Sequence, residues 1–145
     1  MAVSFDFLAK TLLDAPVGDV EKTVEEILKR SVRLDVIEQN LITGTMYNRK
    51  IVITVGQVPI VHATARFDSK NIPALIMTEL LQKKEGIGNI LRKHNITVQR
   101  KTLEISVEPD GKKLTRGYEI LYNNVIWFKI IEKIRLDLLN TCQNR

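Results

Sequence analysis

The spacing of apolar residues changes along the chain, reading as helix, then strand, then helix and strand again. Phe5, Phe7, Leu8, Leu12 and Leu13 make an apolar stripe that stops before Pro16, which predicts a short N-terminal helix. Val20, Val24, Ile27 and Leu28 recur at spacings of three and four with Lys and Glu between them, so a second helix is expected, capped by Asp19. The period then shortens to two. Val32, Leu34 and Val36 alternate with polar neighbours in SVRLDVIEQ, the pattern of a half-buried strand. Strands over 49–55 and 59–65 flank Gly56-Gln57 and predict a hairpin.

Pro73 suits the opening of a helical stretch, IPALIMTELLQKK, because the amide hydrogen it lacks would have no partner in a first turn. Gly86 and Gly88 break that stretch, and IGNILRKHN gives a second short helical segment. Strands dominate afterwards, over 96–107, 114–121 and 125–134. Their connectors, Pro109-Asp110-Gly111 and Asn123-Asn124, contain residues that tolerate positive φ. Successive hairpins favour an antiparallel sheet with helices over one face, an α+β fold.

Composition narrows the class. A chain of 145 residues is close to the usual size of one domain, and 1–145 is expected to form a single one. Apolar residues are 44% and charged residues 27%, the balance of a globular chain rather than a disordered one. The lone Cys142 excludes an internal disulfide and a Cys-rich zinc site. No apolar run reaches the roughly 18 residues of a membrane span. The opening MAVSFDFLAK lacks the basic-then-apolar pattern of a leader, so a cytoplasmic protein without a membrane partner is expected. Basic residues number 22 and acidic 17, a net +5 that permits nucleic acid or an anionic metabolite and specifies neither. Lys83-Lys84 and Lys112-Lys113 read as solvated faces or turns. One Trp, three Tyr and four Phe, with no aromatic-plus-basic strand motif, point away from nucleic acid. The oligomeric state stays open.

Familiar catalytic signatures are missing: no Walker motif, no G-x-G-x-x-G after a strand, no H-E-x-x-H and no G-x-S-x-G. His62 and His94 lie 32 positions apart with no cysteine beside either, so a partly buried strand residue and a helix-end residue are expected rather than metal ligands. Cys142, close to what reads as a frayed end, is not expected to be a nucleophile. Arg49 and Glu132 stand out. Arg49 opens a strand whose following residues are mostly apolar or β-branched, where its fork can face a cleft. Glu132 sits in VIWFKIIEKI, where a carboxylate needs either the solvent face or a partner. Trp127, Ile130 and Glu132 do not share one parity, so a bulge is expected in that strand. Two readings stand side by side: Glu132 on the wet face or paired with a lysine, or a desolvated carboxylate with a raised pKa beside a small-molecule cleft.

Four segments, in order, resemble the chorismate pyruvate-lyase superfamily, in particular its compact archaeal and bacterial branch. They are LDAPVGDVEKTVEE from Leu13, the run from Arg49 to Pro59, IPALIMTELLQKKEGIGNIL from Ile72, and YEILYNNVIWFKIIEKI from Tyr118. The resemblance implies a six-stranded antiparallel sheet with helices clustered on one side and a buried ligand site. It also implies cleavage of chorismate to 4-hydroxybenzoate and pyruvate without metal or organic cofactor. By the same resemblance Arg49 grips the ring carboxylate, the backbone N–H groups of Ile87 and Val20 add donors to it, and Glu132 faces the hydroxyl end of the ring. Two departures stand out. Gly86-Ile87-Gly88 replaces a turn that commonly has a proline before its middle residue, and the last strand carries one extra residue before Glu132, which a bulge would absorb. Related folds also serve as effector-binding modules that bind small acids without chemistry, and that alternative stands beside the enzyme.

Overall fold

The computed structural model describes residues 10–12 and 19–143. Helix α1 (Val20–Leu28) precedes strands β1 (Arg33–Thr43), β2 (Met46–Val55) and β3 (Val58–Asp68). A 3-10 turn at Ser69–Asn71 leads to α2 (Ala74–Leu81) and α3 (Ile87–Lys93). Strands β4 (Gln99–Val107), β5 (Lys113–Tyr122) and β6 (Val125–Arg135) follow, and α4 (Leu136–Gln143) closes the described chain. All strands join one six-stranded antiparallel sheet in the order β1-β2-β3-β6-β5-β4. This is the α+β architecture expected from the sequence.

Local sequence accounts for the hairpins. Asn123 and Asn124 take φ of 50° and 65° between Tyr122 and Val125, as a tight hairpin twisted with its strands requires. The β1–β2 hairpin was not foreseen: Gly44, at φ 56°, turns the chain between Thr43 and Met46. Arg49 therefore lies within β2 rather than at its start.

Other expectations need adjusting. Lys10, Thr11 and Leu12 are helical and Leu12 is buried, whereas Phe5, Phe7, Leu8 and Leu13 lie outside the described residues. Asp19 precedes α1, but its side chain makes no capping bond. Instead the carboxylate pairs with Arg92, with Arg100 at 3.8 Å, because two guanidiniums outcompete a neutral backbone N–H for a charged acceptor. His62 is exposed rather than partly buried, since its parity puts it on the open face of β3. Cys142 is buried, because α4 folds back and lays Leu136, Leu139 and Cys142 on the core.

The sheet has one covered and one open face. On β6, Phe128, Ile130, Glu132 and Ile134 are buried while Lys129, Ile131 and Lys133 are exposed. The expected bulge falls at Trp127: Ile120 pairs with Phe128 but Leu121 pairs with Ile126, leaving Trp127 extra. It absorbs the additional residue and brings Glu132 to the covered face. Under the helices the core forms two apolar clusters. One gathers Leu12, Val20, Val24, Ile53, Ile60, Val61, Leu114 and Ile134 with α4, and the other gathers Phe67, Ile76, Leu80, Ile90, Tyr118, Ile120, Trp127 and Phe128.

The two faces of β6 make the fold testable. Ile134→Ala should cost about 2–5 kcal/mol by denaturant unfolding, because it empties a fully buried position. Ile131→Ala, at a position 43% exposed, should cost no more than about 0.5 kcal/mol. Equal losses would mean that the strand register is wrong.

Candidate functional site

Between the two clusters, two adjacent rows of the covered face carry polar side chains. One row reads Gln39, Arg49, Ala65, Ile130 and Tyr118 across β1, β2, β3, β6 and β5. The next reads Val36, Ile51, Ala63, Glu132 and Arg116. Alanines at the centre of both rows leave the sheet hollow where larger side chains would close it. The hollow is a cleft of about 550 Å³ with its open mouth included, lined by Arg49, Ala63, Ala65, Tyr118 and Glu132 from the sheet and by Val20 and Ile87 from the helices. Arg49 and Glu132 stand two strands and two residues apart, which places their Cα atoms roughly 12 Å from each other.

All four residues singled out from the sequence, Arg49, Glu132, Val20 and Ile87, meet at this cleft. Arg49 is 1% exposed. Its Nη2 donates to the Glu85 carbonyl, while Nε and Nη1 have no partner among the described residues. Burial lowers its pKa from 12.5 to about 10. A buried guanidinium with two orphan donors is costly on its own and is satisfied by an anion that reaches both. Val20 and Ile87 are the first residues of α1 and α3, whose opening N–H groups have no acceptor within their helices. Both helices start at the cleft wall.

The loop before α3 is held firmly. Lys93 Nζ donates to Glu79 at 3.0 Å and to Glu85 at 2.8 Å, and His94 Nε2 lies 2.8 Å from Glu79. Hydrogen bonds from Lys93 and then His94 lower the Glu79 pKa. Asn89 Nδ2 donates to the Glu85 side chain at 3.1 Å. The peptide that accepts from Arg49 is thus fixed through its own side chain. Gly86 has a packing reason: a Cβ there would lie 3.0 Å from Leu34 Cδ1, so glycine lets the start of α3 approach β1. Glu21, also in the cleft wall, has its pKa raised by burial and then by Glu25 and Glu85.

Glu132 is on the covered face and 1% exposed, which settles the first open point. Of the two readings, burial beside the cleft is the one observed, and the partners are an arginine and a tyrosine rather than a lysine. Arg116 Nε and Nη2 donate to Oε1 at 2.9 and 2.7 Å, and the Tyr118 hydroxyl donates to Oε2 at 2.5 Å. Arg116 is equally buried, and its Nη1 donates to the Leu12 carbonyl at 2.8 Å. Sequence reading missed Arg116 and Tyr118. The signal was there: both share the parity of Leu114 and Ile120, which puts them on the buried face. It missed Ala63 and Ala65 too, the small residues of PIVHATARF. His62, His94 and Cys142 are not brought together, and no three His, Cys, Asp or Glu side chains form a candidate metal site among the described residues.

The sheet order and the covered cleft define a single-sheet α+β domain. The effector domain of PhnF from Mycobacterium smegmatis superposes with a TM-score of 0.59 at 9% identity, covering 85% of this chain and 91% of that one. A PhnF structure from the same organism gives 0.58 at 11% identity, over 84% of this chain and 65% of that one. In sequence, the chain is 27% identical over 132 residues to "Putative lyase MJ0807" of Methanocaldococcus jannaschii, covering 79% of this chain and 71% of that protein. No protein-family model matches the chain. The structures share the fold, and the sequence relative carries the name of a lyase.

Because the Arg49 charge is buried without a counter-ion, removing it should not weaken the fold. Arg49→Met should leave the free energy of unfolding unchanged or raise it by about 1–2 kcal/mol, the lost Glu85 bond partly offsetting the relief of a buried cation. A drop in stability above about 2 kcal/mol would mean that Arg49 is a structural residue.

Proposed function

We propose that the chain is a lyase that converts chorismate to 4-hydroxybenzoate and pyruvate in this cleft. The observation that carries the reading is the pair of unpartnered Arg49 donors, facing a buried cleft that has Glu132 about two strands away. A flat ring acid would fit between them, its carboxylate on Arg49 and on the first N–H groups of α1 and α3, its hydroxyl end toward Glu132. The planar fork and fixed amides suit a carboxylate better than a mobile lysine would.

The chemistry asks little of the protein. The C–H bond at C4 of chorismate and the C3–O bond to the enolpyruvyl group break, and a C3=C4 double bond forms. The ring becomes aromatic, keeping its 4-hydroxyl, and the departing enol takes a proton to become pyruvate. Aromatisation supplies driving force, so the protein's part is to hold the substrate, exclude water and stabilise charge. The lyase name of the archaeal relative supports the reaction class.

A second reading is binding of the same acids without chemistry. The Arg116–Glu132 ion pair favours it, because that pairing ties down a carboxylate that would otherwise be free to move a proton.

Incubation of the purified protein with chorismate should release 4-hydroxybenzoate and pyruvate in equal amounts by chromatography. Arg49→Lys should keep the charge but lose the two-point grip, weakening 4-hydroxybenzoate binding about 30- to 1000-fold. Glu132→Gln should lower turnover by about 10²- to 10⁴-fold while still binding product. Wild-type turnover in the Gln variant would remove Glu132 from the mechanism, and product binding without turnover in the parent would establish the binding module.

Metal dependence is a separate check. The elimination needs no Lewis acid, so exhaustive chelation verified by elemental analysis should leave turnover intact. Activity lost on chelation and restored by one divalent ion would overturn the cofactor-free route.

A further inference from the structure

We propose that Arg116 and Tyr118 are positioning residues that leave Glu132 a single open acceptor site, on Oε2, and that this site makes the cleft selective for ring acids with a para hydroxyl. The inference rests on the reading of the cleft as a ring-acid site and adds to it what sets the far end.

The count of acceptor sites carries the argument. An ionised carboxylate offers about four lone-pair positions over its two oxygens. Arg116 takes both on Oε1, through Nε at 2.9 Å and Nη2 at 2.7 Å. The Tyr118 hydroxyl takes one on Oε2 at 2.5 Å. One position remains, on the oxygen that Tyr118 orients. Arg116 cannot swing away to free a second, since its Nη1 is tied to the Leu12 carbonyl at 2.8 Å and its guanidinium lies 5.9 Å from the centre of the Tyr118 ring. Tyr118 and Glu132 both line the cleft, whereas Arg116 lies behind them. A group in the cleft that reaches the open position on Oε2 must therefore donate to it. Of the groups a ring acid could present at that depth, a hydrogen, methyl or carboxylate does not donate, and of the two that do, a hydroxyl is more acidic than an amino group and gives a carboxylate the stronger bond.

Roles divide accordingly. Arg116 balances the charge of Glu132 and fixes Oε1. Tyr118 fixes Oε2 by donating its only O–H, so without it the carboxylate would have two equivalent positions open and no set direction for the ligand hydroxyl.

Calorimetric titration of 4-hydroxybenzoate and benzoate into the native protein, Tyr118→Phe and Arg116→Gln tests this. The native protein should favour 4-hydroxybenzoate over benzoate by about 10- to 100-fold, the range of a hydrogen bond to a charged acceptor. In Tyr118→Phe that preference should fall by about three- to tenfold, because Oε2 remains an acceptor but loses its set direction, while benzoate affinity stays within about twofold, because Arg49 still holds the carboxylate. A merely structural role for Tyr118 would weaken both acids alike and leave their ratio unchanged, which overturns the proposal. Arg116→Gln, if folded by near-ultraviolet circular dichroism, should also reduce the ratio. If it does not fold, the Tyr118→Phe ratio decides alone. A native protein that binds both acids equally would overturn the inference and leave the carboxylate site standing. A native protein that binds neither and does not turn over chorismate would remove the ring-acid reading and this inference with it.

Discussion

A guanidinium held inside the protein with two donors facing empty space is the constraint around which the rest is arranged. Arg49 is 1% exposed and has one backbone carbonyl for company. Burial brings its pKa down to about 10, still well above neutral pH, so the charge persists. Such a group is tolerable only if neighbouring structure prevents it from turning outward or being buried completely. Its position on the second strand of the sheet, with β1 on one side and β3 on the other, blocks the first escape. The Glu85 peptide, anchored through Asn89 and Lys93, blocks the second by holding the loop at a fixed distance. Uncompensated charge then becomes affinity for anions.

The hollow survives for a reason of packing. Two apolar clusters, one against α1 and α4 and one against α2 and α3, meet along the line where Ala63 and Ala65 occupy the sheet centre. Interiors normally fill to crystal-like density. Here, small residues on the central strand and helices that begin rather than cross over the line keep it open. Stability comes from the flanking clusters, which leaves the middle free to be polar. Gly86 and the Trp127 bulge each adjust a boundary of the hollow: the glycine lets the start of α3 approach Leu34 on β1, and the bulge sets which β6 residues reach the covered face.

Much of this was legible in the sequence, and the losses have physical causes. Period-two runs and turn residues located all six strands within a few residues, and Asn123-Asn124 and Gly111 took the positive φ their chemistry allows. The hairpin at Gly44 was missed because its flanks, NLIT and TMYN, mix polar and apolar residues at a sheet edge where burial imposes no alternation. Helix α4 was missed because its apolar face is short. Arg49, Glu132, Val20 and Ile87 converge on one cleft, but their convergence depends on register, which a family resemblance carries and periodicity does not. The partner of Glu132 was invisible for the same reason: Arg116 lies sixteen residues earlier and becomes its neighbour only through the β5–β6 pairing.

Two buried arginines on one sheet face thus meet opposite fates, and the contrast explains the polarity of the cleft. Arg116 has all three nitrogens bonded, two to Glu132 and one to the Leu12 carbonyl, so that end is electrically balanced. Arg49 has no carboxylate within ion-pair reach among the described residues, so that end reads charge. On the proposed ring-acid reading, exchanging the two arrangements would place a bare cation against the hydroxyl end and a neutral pair against the carboxylate, and neither would favour binding. Ala65 pairs with Arg49 and Ala63 with Glu132, so the same central strand that makes room also sets the offset between the two ends. On the same proposed reading, the ligand that matches this arrangement is rigid, anionic at one end and neutral but donating at the other. Flexible acids of equal length would lose conformational entropy to span the offset, whereas a planar ring arrives with its two ends already fixed.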